Sequence, residues 1–325
     1  MTLATGIGSM PGTDFAESLR VVLGTVGDLP YVPELPARGV HAQMIGRTLA
    51  LLDGLHADLQ PDGWRIGVGE GVDLRRARSL AAQDLDVAEE LAGDASGPLK
   101  LQLTGPLTLA ASVERPKGDK MLADHGARRE LAESLAEGVR TFLRDTGRRF
   151  PAADLVVQVD EPAVAAVLGG GVPTASGFSR HRVVHPPEAD ALLRLVVDAV
   201  LDAGARPVVH TCAPDVPVAL LAGAGFSAIS FDLSLTSAAD VWAESFEGGV
   251  DLWPGVVPST DATGVTGKAM AERVTTFLGR LGFNPETCAD RVVVTPTCGL
   301  AGASPAWSRA ALAAVHEVAE RLSGR

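Results

Sequence analysis

Cysteine is scarce in this chain: 325 residues carry only three. That is too few for a disulfide framework, so a bridge-stapled secreted scaffold is excluded and a reducing, cytoplasmic setting is expected. Basic residues are also in deficit, 28 Lys and Arg against 40 Asp and Glu, for a net charge of −12. That balance argues against bare nucleic acid and anionic membrane surfaces as partners, since both demand a basic face. No apolar run reaches about 18 residues, so no membrane span is expected. The opening Met1-Thr2-Leu3-Ala4 lacks the basic stretch and following apolar stretch of a secretory signal. No linker rich in Pro, Ser and Gly divides the chain, so residues 1–325 are expected to form a single domain.

The chain is 46% hydrophobic, enough for a sizeable core, with 36 glycines. Short apolar runs recur, each followed by a loop and a helix-like stretch. The runs predict strands at 3–8, 64–69, 99–104, 154–160, 207–211, 228–233, 252–257 and 292–297. Amphipathic stretches predict helices at 74–91, 129–148, 188–203, 267–281 and 305–322, the last opened by the N-cap pair Ser304-Pro305. Alternating strands and helices imply a parallel sheet. Eight such units predict an α/β fold of the (β/α)8 TIM-barrel type, with a doubly wound open sheet as the rival. The polar stretch 114–129 reads as a mobile loop over one end.

The residues with chemistry fall where strands end: Ser9, Asp160 and Glu161, His210 and Cys212, Asp232, and Cys298. In a barrel those ends converge on one face, so residues distant in sequence share a site. His210-Thr211-Cys212 places imidazole and thiol on one side of an extended strand. Zinc with sulfur ligands takes about four donors around a tetrahedron. His210, Cys212 and Cys298 supply three, and Asp232 is the best candidate for a fourth. The alternative is that both cysteines pack as small hydrophobes.

The motifs resemble the catalytic half of the cobalamin-independent methionine synthase family. His210-Thr211-Cys212, Ile229-Ser230-Phe231-Asp232 and Cys298-Gly299-Leu300 follow the family's zinc-binding order, with aspartate where the family has glutamate. Gly6-Ile7-Gly8-Ser9-Met10-Pro11, Thr104-Gly105-Pro106-Leu107-Thr108 and Gln158-Val159-Asp160-Glu161-Pro162-Ala163 are similar to three more of its signatures. The resemblance implies a Zn2+-dependent transfer of a methyl group to the thiol of L-homocysteine, giving L-methionine. It also implies that the segment around Ile7 and Ser9 holds the amino-acid carboxylate, that Asp160 pairs with the α-amino group, and that Glu34 is a second amino-group partner.

The departures concern the methyl donor. Full-length family members carry a second barrel that helps bind methyltetrahydrofolate, and this chain has the length of one. The tryptophan that stacks on folate after Thr-Gly-Pro is replaced by the run Leu109-Ala110-Ala111-Ser112. The folate-contacting glutamate after Asp-Glu-Pro is replaced by Val164-Ala165-Ala166. No histidine lies between His210 and His316, where the family places a proton donor. A methyl group leaves folate only as its ring nitrogen is protonated, whereas methyl on cobalt needs no proton. These departures lead to the expectation of a methylated corrinoid as donor, free or on a corrinoid protein, with methyltetrahydrofolate as the alternative. Two other readings stand beside this one: an enzyme like uroporphyrinogen decarboxylase, which shares the barrel and uses no metal, and a non-catalytic zinc- or corrinoid-binding module.

Overall fold

The computed structural model describes residues 1–324. Nine strands are present among them: β1 (Leu3–Ala4), β2 (His56–Gln60), β3 (Gly63–Gly67), β4 (Gly97–Thr104), β5 (Ala153–Asp160), β6 (Arg206–Thr211), β7 (Ala228–Asp232), β8 (Asp251–Val257) and β9 (Val293–Pro296). Seven form one curled parallel sheet in the order β1-β9-β8-β7-β6-β5-β4. Parallel strands covered on both faces read as near-continuous apolar runs, which is why these seven were visible in the sequence.

The eighth predicted strand, 64–69, is not part of this sheet. Residues 63–67 form β3, which pairs antiparallel with β2 in a separate hairpin. The segment 30–34 lies instead between the sheet's two edges. Val32 N donates to Lys100 O at 3.0 Å, and Lys100 N donates to Pro30 O at 2.9 Å. On the other side Glu34 N donates to Gly8 O at 3.1 Å, and Met10 N donates to Glu34 O at 2.8 Å. Pro33 and Pro36 lack the N–H that a longer ladder needs, so the segment stays a bridge and never shows the apolar run of a strand.

The expected mobile loop at 114–129 is ordered for a physical reason. Glu114 is buried and extends the hairpin: its N–H donates to Trp64 O at 2.9 Å and its carbonyl accepts from Ile66 N at 2.8 Å. Its carboxylate accepts from Arg65 Nε at 3.0 Å. Helix His125–Arg149 then starts on an Asp124 cap, whose carboxylate accepts from Ala127 N. The other predicted helices appear as Val72–Ala92, Pro186–Asp202, Gly267–Arg280 and Pro305–Leu322, the last with Ser304 Oγ accepting from Trp307 N.

The inner face of the sheet is layered. Leu29, Val156, Val208, Ala228, Trp253 and Val293 form an apolar floor separate from the main core beneath the helices. Side chains two residues apart on a strand share a face, so each strand climbs from that floor toward chemistry. β5 runs Val156, Gln158, Asp160; β6 runs Val208, His210 and then Cys212; β7 runs Ala228, Ser230, Asp232.

Candidate metal centre and the charged interior beside it

His210 is the penultimate residue of β6 and is buried. Its Nδ1 lies 2.9 Å from Ser230 Oγ, its register partner on β7, which fixes the ring. Nε2 is buried and has no hydrogen-bond partner of good geometry. The two cysteines come from distant strand ends, yet Cys212 Sγ and Cys298 Sγ stand 2.8 Å apart, both as free thiols. The ligand atoms of His210, Cys212 and Cys298 all lie within 4.8 Å of one another. Donation from the Cys212 thiol, helped by His210, pulls the Cys298 pKa down to about 4. The same contact pushes Cys212 up. Two cysteine sulfurs and a buried imidazole nitrogen without a partner suit a thiophilic, borderline-soft divalent ion such as zinc, so the residues present fit that group.

Asp232, expected as the fourth ligand, is not in this group of three. Thr211 pairs with Phe231, so the next residues, Cys212 and Asp232, are level on the same face. The carboxylate has turned away: Oδ1 accepts from Ser234 N at 2.7 Å and from Ser234 Oγ at 2.6 Å. Aspartate is one methylene shorter than glutamate, which favours this local turn over a reach toward the thiols.

Beside the three lies a network centred on Lys100, which is fully buried. Its ammonium donates to Ile7 O at 3.0 Å and Gln158 Oε1 at 2.8 Å. With the Gln102 amide turned so that its oxygen faces the ammonium, a third contact forms at 3.0 Å, and the amide nitrogen donates to Glu34 Oε1 and Val32 O. Gln158 Nε2 donates to Ile7 O at 2.8 Å and to Asp160 Oδ1 at 2.7 Å. Glu34 pairs with Arg47, whose Nη2 lies 4.0 Å from Asp160 Oδ2. Burial pushes the Glu34 carboxyl up to about 7 and the Lys100 ammonium down to about 7. It also raises Asp160, against the lowering effect of His210 and Arg47.

The structure therefore places the predicted residues unequally. Asp160 pairs in register with His210 and faces the interior, between the sulfur group and Arg47. Its neighbour Glu161 points the other way and takes the structural role. Its carboxylate accepts from Leu107 N at 2.9 Å, Thr108 N at 2.8 Å and Thr108 Oγ1 at 2.6 Å, pinning the Thr104–Thr108 turn. A Cβ on Gly105 would sit 2.2 Å from Glu161 Oε1, so that turn requires glycine. Ser9 lies against the Cys298 turn: its carbonyl accepts from Leu300 N at 2.8 Å, and a Cβ on Gly299 would sit 2.1 Å from its Oγ. Ile7 is buried and its carbonyl is already engaged by Lys100 and Gln158. Glu34 lies in the same interior, its Oε1 paired with Arg47.

Sequence reasoning missed Lys100, Gln102 and Arg47 altogether. For the first two a signal existed, since both are polar residues spaced by two in an otherwise apolar strand. Arg47 sits in the six-residue helix Met44–Leu49, too short to show a period. A small cavity of about 80 Å3 opens beside Arg47, walled by Leu80, Ala81, Leu85 and Phe142 and rimmed by the Arg38–Asp84 ion pair, and none of the three metal-type residues lines it.

The curled parallel sheet with thiol, imidazole and carboxylate groups at its strand ends defines the class: a barrel-like α/β protein with these groups gathered on one face. The sequence matches the family model described as cobalamin-independent synthase, catalytic domain, over residues 71–321. The chain belongs to that family. Among solved structures it is similar to a B12-independent methionine synthase from Shewanella sp. W3-18-1, at 14% identity over 99% of this chain and 97% of that one, with a TM-score of 0.66. A β-mannanase from the blue mussel Mytilus edulis overlaps 100% of this chain and 92% of that one at 11% identity, with a TM-score of 0.48. No curated protein matches the sequence. A corrinoid donor and a corrinoid-protein partner gain no support from a family described as cobalamin-independent. Among the described residues no helix is long and apolar enough to cross a membrane.

Proposed function

We propose that this protein methylates the thiol of homocysteine, forming methionine, with residues 1–325 acting as one (β/α)8-type barrel whose eighth stave is the segment 30–34. The observation that carries the reading is the convergence of His210, Cys212 and Cys298 within 4.8 Å beside Asp160. These three residues would hold zinc, and Asp232 would join them only by leaving Ser234. Zinc supplies a positive centre that lowers the pKa of an incoming thiol and keeps its sulfur nucleophilic.

The chain's own residues do the rest. Ser230 orients the His210 ring, so that Nε2 is the nitrogen offered. Asp160 presents a carboxylate to the acceptor's ammonium group, backed by Gln158. Ser9 borders the Cys298 turn on the same face. In the transfer a carbon–sulfur bond forms, the thiol proton is lost, and the bond from methyl to its donor breaks with the electron pair leaving on the donor.

Membership of a cobalamin-independent family supports methyltetrahydrofolate as that donor. A second reading, a methylated corrinoid, rests on the lack of a histidine between His210 and His316 to protonate a leaving folate nitrogen. The free thiols suit a reducing, cytoplasmic setting. Zinc K-edge X-ray absorption on the purified protein tests the reading: about two sulfurs in the shell are expected, rising to three with homocysteine. A shell that ignores homocysteine overturns it. Single-turnover methionine formation from each methyl donor then separates the two donors.

A further inference from the structure

Three connections on the strand-end face are stitched into one wall. The hairpin β2–β3 pairs with Glu114, and Glu114 pairs antiparallel with Lys120. Asp119 carries the wall onward into the connection that follows β5. Its Oδ1 accepts from Lys120 N at 2.8 Å and from Ala175 N at 2.9 Å, and His181 Nε2 stands 3.2 Å from it. That connection folds into a short hairpin of its own. Pro173 bridges Arg180, Thr174 N donates to Ser179 O at 3.0 Å, and Gly177 N donates to Thr174 O at 2.8 Å. Gly177 turns the chain at a φ of 72°, which glycine adopts without strain. Arg180 braces the base by donating to Gly171 O. β4 and β5 end level, with Thr104 opposite Asp160, so the wall rises on the Asp160 side of the site.

The wall differs from the rest of the surface in two ways. Phe178, near the hairpin tip, is 98% exposed, and it is the one exposed aromatic side chain among the described residues. A ring held in water contributes nothing to folding, so its value lies in what covers it. The local charge is also inverted. Arg115, Lys117, Lys120, Arg180 and Arg182 stand against Glu114 and Asp119, in a chain whose acids outnumber its bases 40 to 28. Glu114 is already paired with Arg65, and Asp119 is taken up by the hairpin. Among the described residues Lys117 and Arg182 are exposed and form no ion pair. A cationic edge on an anionic protein attracts and orients an anion at the mouth of the site.

A ligand that uses both features carries an aromatic ring and negative charge at one end and reaches the site with the other. Methyltetrahydrofolate has this form: its methyl-bearing pterin is followed by a p-aminobenzoyl ring and then by glutamate carboxylates. Leu109, Ala110 and Val164, which stand where the family resemblance places donor contacts, are aliphatic and fully buried, which leaves the ring to be gripped elsewhere. We propose that the wall is a docking rim for the methyl donor: Phe178 stacks on the p-aminobenzoyl ring, and Lys117 and Arg182 pair with the glutamate carboxylates. This inference rests on the proposed function and on its folate donor.

The test is calorimetric binding of 5-methyltetrahydrofolate, at low and at physiological salt, with L-homocysteine binding measured in parallel. The wild type is compared with Phe178→Ala, Phe178→Tyr and the double variant Lys117→Gln/Arg182→Gln. All three side chains are exposed, so the variants are expected to fold, and thermal melting checks it. F178A should bind the donor about five- to tenfold more weakly, while F178Y, which keeps a ring, stays within about twofold. The double variant should lose about two- to fivefold at low salt and lose most of the salt dependence. p-Aminobenzoyl-L-glutamate, the donor's tail without its pterin, should compete with the donor in the wild type and not in F178A. Homocysteine binding should hold throughout. Donor affinity unmoved in F178A and in the double variant overturns the inference and leaves the proposed function standing. An equal loss of homocysteine affinity marks general damage to the face and overturns it as well. A wild type that makes methionine from methylcobalamin and does not bind methyltetrahydrofolate overturns the inference and the folate donor together, while homocysteine methylation survives. A wild type that binds no homocysteine overturns the proposed function, and this inference with it.

Discussion

The sulfur end and the charged end of the strand-end face are built on opposite principles. At the charged end, the Lys100 ammonium has three acceptors, the amides of Gln102 and Gln158 are engaged, and Arg47 alone keeps donors to spare. At the sulfur end, two thiols and an imidazole crowd within 4.8 Å, and the imidazole Nε2 is unpartnered. A closed hydrogen-bond network rigidifies a barrel interior. An open cluster of soft donors does little for the fold and has its use in a ligand that is not protein. The comparison therefore predicts that damage at the sulfur end removes metal and activity while the fold survives, and damage at the charged end weakens the fold.

The strongest test of that contrast is Cys298→Ser. Zinc affinity should fall by more than about 100-fold, since even outer-shell changes cost 10- to 100-fold. Competition with a chelator reads it, and the melting temperature of the metal-free protein should hardly move. A large loss of apo stability would erase the distinction. Lys100→Met makes the complementary cut. It leaves Asp160, Glu34, Gln158 and Ile7 O without their buried cation and should cost about 3 kcal/mol or more in urea unfolding. An unchanged unfolding midpoint would show that the network is not what holds this end together.

Glu161→Gln is expected to cost about 1–3 kcal/mol, because an amide cannot accept from every donor of the Thr104–Thr108 turn. The effect should depend on pH. Burial raises the Glu161 pKa from 4.5 to about 7 in the fold. A raised acid contributes stability that is full below about pH 4.5 and is lost as pH rises through about 7. The wild type therefore loses stability over that window relative to the variant, and the deficit of E161Q should narrow. A deficit constant from pH 4.5 to 7 would show that Glu161 is ionised throughout. The smallest effect is expected from Asp232→Glu. The longer side chain should escape Ser234 and reach Cys212's level, raising zinc affinity by no more than about tenfold. Lower affinity would mean that the site excludes a fourth protein ligand.

How much was legible differs between these regions. Seven strands could be read because parallel strands buried on both faces are apolar along their length. The segment 30–34 could not, since two prolines limit its pairing to a few bonds, and the hairpin strand 63–67 took its place in the count. At the site, His210 and Cys212 were readable from their spacing of two and Cys298 from its motif. Glu161 could be separated from Asp160 only once the Thr108 turn was seen against it.

The sequence alone determined the alternation of strands and helices, the strand-end residues and the choice of soft donors. Each depends on periodicity or residue type, which the chain carries locally. Tertiary structure decided which side chains those donors meet. It turned Asp232 onto Ser234, buried Lys100 among three carbonyl-type oxygens, and aimed one free edge of Arg47 toward Asp160. Those outcomes depend on burial and on partners brought from distant positions, and hydrogen bonding at such range leaves no periodic trace in a sequence.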